Sequence, residues 1–233
     1  MLDRLWPTVV LVGTSTILSI VIGIWIGTIA AWNRGRTFDQ LSTTSTITLY
    51  SMPEWWLGLL LIAGLGVGFW FVPGIFPTGG LNSSDVDPNS LHGVLDTMWH
   101  LVLPVTTLTL AYLAEYSLIM RSSLLDELGE DYLQTARAKG LRDVRVRNHH
   151  AVRNALLPTT TLIALNIGFV VSGAITVETV FSIPGLGLLS TDAIDVPDFW
   201  VLQGTFLVAS AGVILANLVA NLIYGWLDPR VRT

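Results

Sequence analysis

The stretch Tyr132–Pro158, YLQTARAKGLRDVRVRNHHAVRNALLP, is the longest polar segment of an otherwise apolar chain. Between Arg137 and Arg153 it sets six cations, Arg137, Lys139, Arg142, Arg145, Arg147 and Arg153, against one acid, Asp143. Long apolar runs flank it on both sides. Lys and Arg resist translocation, so a loop of this kind hung between membrane helices stays on the cytoplasmic side.

Working outward, the composition agrees with a membrane setting. Of 233 residues, 52% are hydrophobic and only 12% charged, about half the charged share of an ordinary soluble domain. Backbone groups in lipid must be paired internally, so spans are helices or closed barrels. The runs here are continuously apolar rather than alternating, which predicts an all-α polytopic transmembrane bundle. The chain has no cysteine, so disulfides and thiolate metal sites are excluded. The apolar run that follows Asp3 and Arg4 is too long for a cleaved signal peptide.

Five spans are predicted, at about 8–32, 55–72, 98–120, 159–180 and 200–227. In the first, Ser15, Ser19, Gly23, Gly27 and Ala31 recur every four residues. Small residues at this spacing let helix backbones approach closely, either within the chain or across a dimer seam. Gly64 and Gly68 form a second such pair. Residues 39–52 are Ser/Thr-rich and end at the chain-breaking Pro53. Glu54 and the Trp55–Trp56 pair read as interfacial. Residues 73–97 and 181–199 carry turn chemistry and acids. Pro104 predicts a kink in the third span, and Pro158 closes the polar stretch at the membrane entrance.

Placing 33–40, 121–157 and the tail inside puts eleven of the twelve cations inside and leaves only Arg4 outside. That asymmetry sets the topology: an outside N-terminus and a cytoplasmic C-terminus. The domain reading is one transmembrane domain over 1–233, with a cytoplasmic loop at 121–158.

Within that loop, Glu130 and Asp131 favour a helix start. Tyr132, Leu133 and Ala136 give the helix an apolar face. Gly140 can adopt positive φ and reverse the path. Leu141 and Val144 begin a second short amphipathic piece. Two short helices joined at a glycine make a knob able to fill a groove on a partner. A grip on anionic lipid and a simple positive-inside anchor are the competing readings. A nucleic-acid surface is disfavoured by the membrane tether and the lack of interleaved aromatics.

The run Glu130–Leu141, EDYLQTARAKGL, followed by Arg153–Pro158, RNALLP, resembles the cytoplasmic signature of inner-membrane ABC importer permeases. Within them it resembles the B-type transmembrane subunit of the dipeptide/oligopeptide/nickel family, which typically reads GEDYxxTARAKGL. Glu178–Gly187, ETVFSIPGLG, and the ending Leu227–Arg232, LDPRVR, match the same family. Gln134, Thr135 and Ala136 stand where the general signature has Glu-Ala-Ala, so its leading Glu is absent. The matching part begins at about Leu5–Val12, at the family's second span; a natural short form or a mis-assigned start would account for this.

The resemblance implies a type I ABC importer permease fold. It implies that Tyr132, Gln134, Thr135, Ala136, Arg137, Ala138, Lys139, Gly140, Leu141 and Arg145 form a coupling helix in a cleft of a cytoplasmic ATPase. It also implies a second homologous permease and an extracellular solute-binding protein as partners, in a prokaryotic cell membrane. Glu178, Pro184, Gly185 and Gly187 are the candidate outer gate or docking turn, with plain turn structure as the other reading. No cofactor or metal site is expected, and no nucleic acid.

No catalytic role is expected either. The chain holds no G-x-x-x-x-G-K-[ST] loop, no H-E-x-x-H and no G-x-S-x-G. His149 and His150 are adjacent, and helix neighbours point about 100° apart. A stand-alone channel or secondary transporter is the alternative. It would want ionisable groups along a mid-membrane path, whereas Asn166, Asn217 and Asn221 suit helix glue.

Overall fold

The computed structural model describes residues 2–69, 72–87, 90–167, 170 and 174–227. The order is α1 (Leu2–Trp32), α2 (Thr37–Tyr50), α3 (Glu54–Leu61), a hairpin of β1 (Gly68–Phe69) and β2 (Val72–Pro73), α4 (Leu91–Glu127), α5 (Asp131–Ala138), α6 (Asp143–Arg145), α7 (Val152–Ile167), α8 (Ile175–Val180), α9 (Leu186–Asp195) and α10 (Phe199–Leu227). Wide-turn π-helical stretches extend α3 over Ile62–Val67 and bridge α6 to α7 over Val146–Ala151. The fold is a helical membrane bundle. Among the described residues, three helices are long and apolar enough to cross a bilayer: α1, α4 and α10.

The spans depart from the sequence reading in instructive places. The second stops at Val67 rather than 72, because Gly68 turns to φ 89° and starts the hairpin. The third begins at Leu91. The Ser90 hydroxyl accepts the Gly93 N–H at 2.9 Å and caps the helix start. The polar residues His92, Asp96 and His100 break the apolar run that hydropathy relies on. Residues 37–50 are helical despite their many hydroxyls. The fourth span is described as α7 and a separate α8; residues 168, 169 and 171–173 lie outside the description. Pro158 sits inside α7 rather than closing a loop. The predicted second loop 181–199 contains α9. The ending at 228–232 lies outside the described residues.

Two compact units are present, each discontinuous in sequence. One takes residues 1–16, 52–109 and 165–233. Its core holds Leu11, Leu57, Leu101, Leu103, Leu108, Val177, Phe181, Ile183 and Leu186, all nearly inaccessible. There α8 packs on α3 and α9, and α9 on α10.

The other unit takes residues 17–51 and 110–164. In it Gly23 and Gly27 face the α4 segment Leu113–Arg121. A Cβ on Gly23 would stand 2.8 Å from the Leu113 carbonyl oxygen and from the Tyr116 Cβ. The small-residue ridge is therefore spent on packing within the chain. Gly64, by contrast, has nothing within 4 Å of a built Cβ, so the second predicted pair makes no close approach there.

Candidate functional site

The polar stretch folds as an elbow. Asp131 in the first turn of α5 suits the helix dipole. At its far end the Gly140 N–H donates to the Arg137 carbonyl at 2.9 Å and the Leu141 N–H to that of Ala136 at 3.4 Å. With Gly140 at φ +75°, these two bonds make a Schellman stop, which only a residue free of Cβ strain adopts readily. The predicted reversal at Gly140 is present. The second arm differs from expectation: α6, the π-helical stretch and α7 run on as consecutive helical turns.

The inner side of the elbow is apolar and buried. Leu133, Ala136, Val146, Ala151 and Ala155 pack with Ala31 of α1 and with Met120 and Leu124 of α4. Each fully buried Leu or Val here stabilises the docking by about 1.5–3 kcal/mol. Ala136, grouped with the contact residues by resemblance, thus faces inward, and Leu141 is half-buried. Tyr132, Gln134, Thr135, Arg137, Ala138, Lys139, Gly140 and Arg145 are exposed. Tyr132 donates to Glu127 at 2.5 Å and receives a bond from Asn154 at 3.0 Å. Burial, then the neighbouring Glu127, pushes its hydroxyl up to about 12.

Trp32, the last residue of α1, was not singled out by the sequence. The guanidinium carbons of Arg137 and Arg147 stand 5.8 and 5.9 Å from its ring centroid, one from each arm. Cation–π contacts at partly exposed sites contribute about 0.5–1 kcal/mol each. Asp39 of α2 is a second unforeseen member of this unit. It accepts from Arg121 Nε at 2.6 Å and Nη2 at 3.0 Å, and from the Gly35 N–H at 2.9 Å. The Arg121 bond holds its carboxyl down at about 2. Both features tie an element of this unit to the ends of α1 or α4.

In the other unit, the run Glu178–Gly187 forms a buried latch. Glu178 is wholly inaccessible. Its carboxylate accepts from the Thr8 hydroxyl at 2.9 Å, the Gly187 N–H at 2.7 Å and the Leu188 N–H at 3.2 Å. Thr8 in turn accepts the Leu186 N–H at 2.9 Å. The first N–H groups of α9 are thereby capped. A Cβ on Gly185 would strike the Glu178 carboxylate, and one on Gly187 would come within 2.7 Å of the Ile175 Cα. The Pro184–Gly187 turn is held from inside by a side chain 170 residues away in Thr8, a partner no local pattern could reveal.

Glu54, at the start of α3, reaches across to α8. Its carboxylate accepts from the Thr176 hydroxyl at 3.3 Å, and Thr176 lies only five residues before Phe181, whose carbonyl accepts the Gly80 N–H of the 73–97 connection. The first contact places Glu54 beside α8. Its place at the start of α3 gains about 0.3–1 kcal/mol from the helix dipole.

Comparison with known proteins gives a consistent answer. The model of the binding-protein-dependent transport system inner membrane component family matches residues 23–233. The chain is 40% identical to the dipeptide transport system permease protein of Escherichia coli (strain K12), over 93% of this chain and 68% of that protein. It is 36% identical to the oligopeptide transport system permease protein of Bacillus subtilis (strain 168), over 98% and 70%. It is 40% identical to the di/tripeptide transport system permease protein of Pseudomonas aeruginosa, over 90% and 66%.

Proposed function

We propose, from the premise that the chain belongs to the family of binding-protein-dependent transport system inner membrane components, that it is the permease subunit of an ATP-driven importer of di- and oligopeptides. The relatives' names supply the cargo class. The observation that carries the mechanism is the buried seat of the elbow on Ala31, Met120 and Leu124.

An exposed knob on such a seat is a lever. A cytoplasmic ATPase grips Gln134, Thr135, Arg137, Ala138, Lys139, Gly140 and Arg145 from below. When two ATPases close on ATP, the knob moves with them. Its inner face carries α1 and α4 along, because a packed core transmits displacement rather than absorbing it. The permease pair then rocks between two states, biased by the differential affinity of the ATPases for ATP in each. This chain hydrolyses nothing itself.

Substrate crosses where this chain meets a second homologous permease, and an outer solute-binding protein delivers it. The protein resides in a prokaryotic cell membrane with its C-terminus in the cytoplasm. Glu178 and Thr8 hold the Pro184–Gly187 turn in shape for that outer encounter, from beneath rather than by contact.

The test is Gly140→Asp, or removal of residues 134–147, in the assembled importer. Gly140 has open space around it but sits at positive φ, so the substitution strains the turn without a clash. ATP-driven uptake and ATPase association are lost together while membrane insertion persists. Normal uptake by either variant overturns the coupling role. Uptake by this chain without ATPase subunits favours a self-standing transporter.

A further inference from the structure

We propose that Glu54 binds the ammonium group of the passing substrate, on a polar track it shares with Thr176 and Thr179. The inference rests on the reading of the chain as a peptide permease.

Three observations place this track on a wet path. The first is depth. The α3 helix and its extension span Glu54–Val67, a rise of about 21 Å. That falls short of the roughly 30 Å of a bilayer's hydrocarbon core. With the β1–β2 hairpin at the outer boundary, Glu54 starts within the membrane.

The second is lack of compensation. Among the described residues, no ion pair involves Glu54. Arg4 is the only Lys or Arg in the described part of its unit. One hydroxyl, at 3.3 Å, is the bond it receives from a side chain. A carboxylate held so sparsely in a membrane helix faces water or a cationic guest, not lipid.

The third is company. Thr176 and Thr179 stand three apart on α8, hence on one face, and both are exposed. Thr179 also shares a bond of 3.2 Å with Thr191 of α9. Trp55 and Trp56 beside Glu54 are exposed at 48% and 39%. Carboxylate, hydroxyls and indole faces are the groups that hold an ammonium head and a peptide backbone.

The experiment uses the full importer in vesicles: this chain, its partner permease, the ATPases and the binding protein. The probe is ATP-driven uptake of L-alanyl-L-alanine, with ATP hydrolysis measured in parallel. Glu54→Gln keeps size and an acceptor oxygen but removes the charge. It lowers uptake about tenfold, the worth of a charge-assisted hydrogen bond, while binding-protein-stimulated ATP hydrolysis and assembly persist. Glu54→Asp recovers most of the uptake, and Glu54→Lys abolishes it. Uptake by Glu54→Gln within about twofold of the parent, or equal losses in the Gln and Asp variants, overturns the proposal while leaving the peptide reading intact. A parent complex that moves no dipeptide overturns both.

Discussion

Replacing Gly23 by alanine tests whether α1 and the second half of α4 are as close as the structure places them. An added Cβ stands 2.8 Å from the Leu113 carbonyl oxygen, 2.8 Å from the Tyr116 Cβ and 3.2 Å from the Ser117 nitrogen. Ordinary contact begins at 3.4 Å, so the helices must part by roughly 0.6 Å over that turn. Overpacking of this size costs about 1–3 kcal/mol. Alanine also favours a helix over glycine by about 0.5–1 kcal/mol, which masks part of the loss. Gly64→Ala isolates the steric part. It sits in the wide-turn stretch after α3 and brings a propensity gain of the same sign with nothing within 4 Å to strike. The two variants therefore differ by about 1–3 kcal/mol, the cost of the overpacking. At about 2–4 °C per kcal/mol for a chain of this length, their thermal midpoints in detergent differ by about 2–12 °C, Gly23→Ala being the lower. Gly27→Ala falls further still, because its Cβ would press directly on the Ser117 carbonyl oxygen. Coincident midpoints for Gly23→Ala and Gly64→Ala would refute the close packing.

Two further outcomes follow from the unit that holds the elbow. Asp39 has its carboxyl held at about 2, below the ordinary 3.8. A depressed acid adds stability above its unfolded value and loses it as pH falls through the folded one, so about 2 kcal/mol fades between about pH 5 and pH 2. In a chemical denaturation series over that range, Asp39→Asn removes the corresponding slope; an unchanged slope contradicts the Arg121 pairing as its source. Trp32 is a positioning residue for the elbow. Trp32→Leu lowers peptide moved per ATP hydrolysed while the ATPases remain bound, and Trp32→Phe, which keeps a ring under Arg137 and Arg147, restores the ratio. Equal ratios in Leu and Phe variants would show that the ring face is irrelevant.

Much of this architecture can be read from residue pattern because the relevant forces are local. Gly140 ends α5 through bonds to residues three and five positions earlier. The four-residue spacing of Gly23 and Gly27 is visible in one dimension, and their partner helix fills the space. Other features depend on partners distant in sequence. Asp39 looks like one acid in a Ser/Thr-rich connector until Arg121 stands beside it. Thr8 is an ordinary hydroxyl until Glu178 and Leu186 meet it. Glu54 reads as interfacial because a paired Trp follows it, and its bond to Thr176, 122 residues on, has no local signal. Span lengths fail for a related reason. Hydropathy averages over a window, so it runs past the turn at Gly68 and starts α4 too late, after His92 and Asp96.

The Thr8 latch has a consequence for biosynthesis. Its hydroxyl is made some 170 residues before the carboxylate and amides that complete it. At about 5–20 residues per second, the nascent α1 waits on the order of 9–34 s with that contact unfinished. During this interval the ribosome and insertion machinery, not the mature bundle, must shelter it. Closure of the latch is then a late event in the synthesis of the chain.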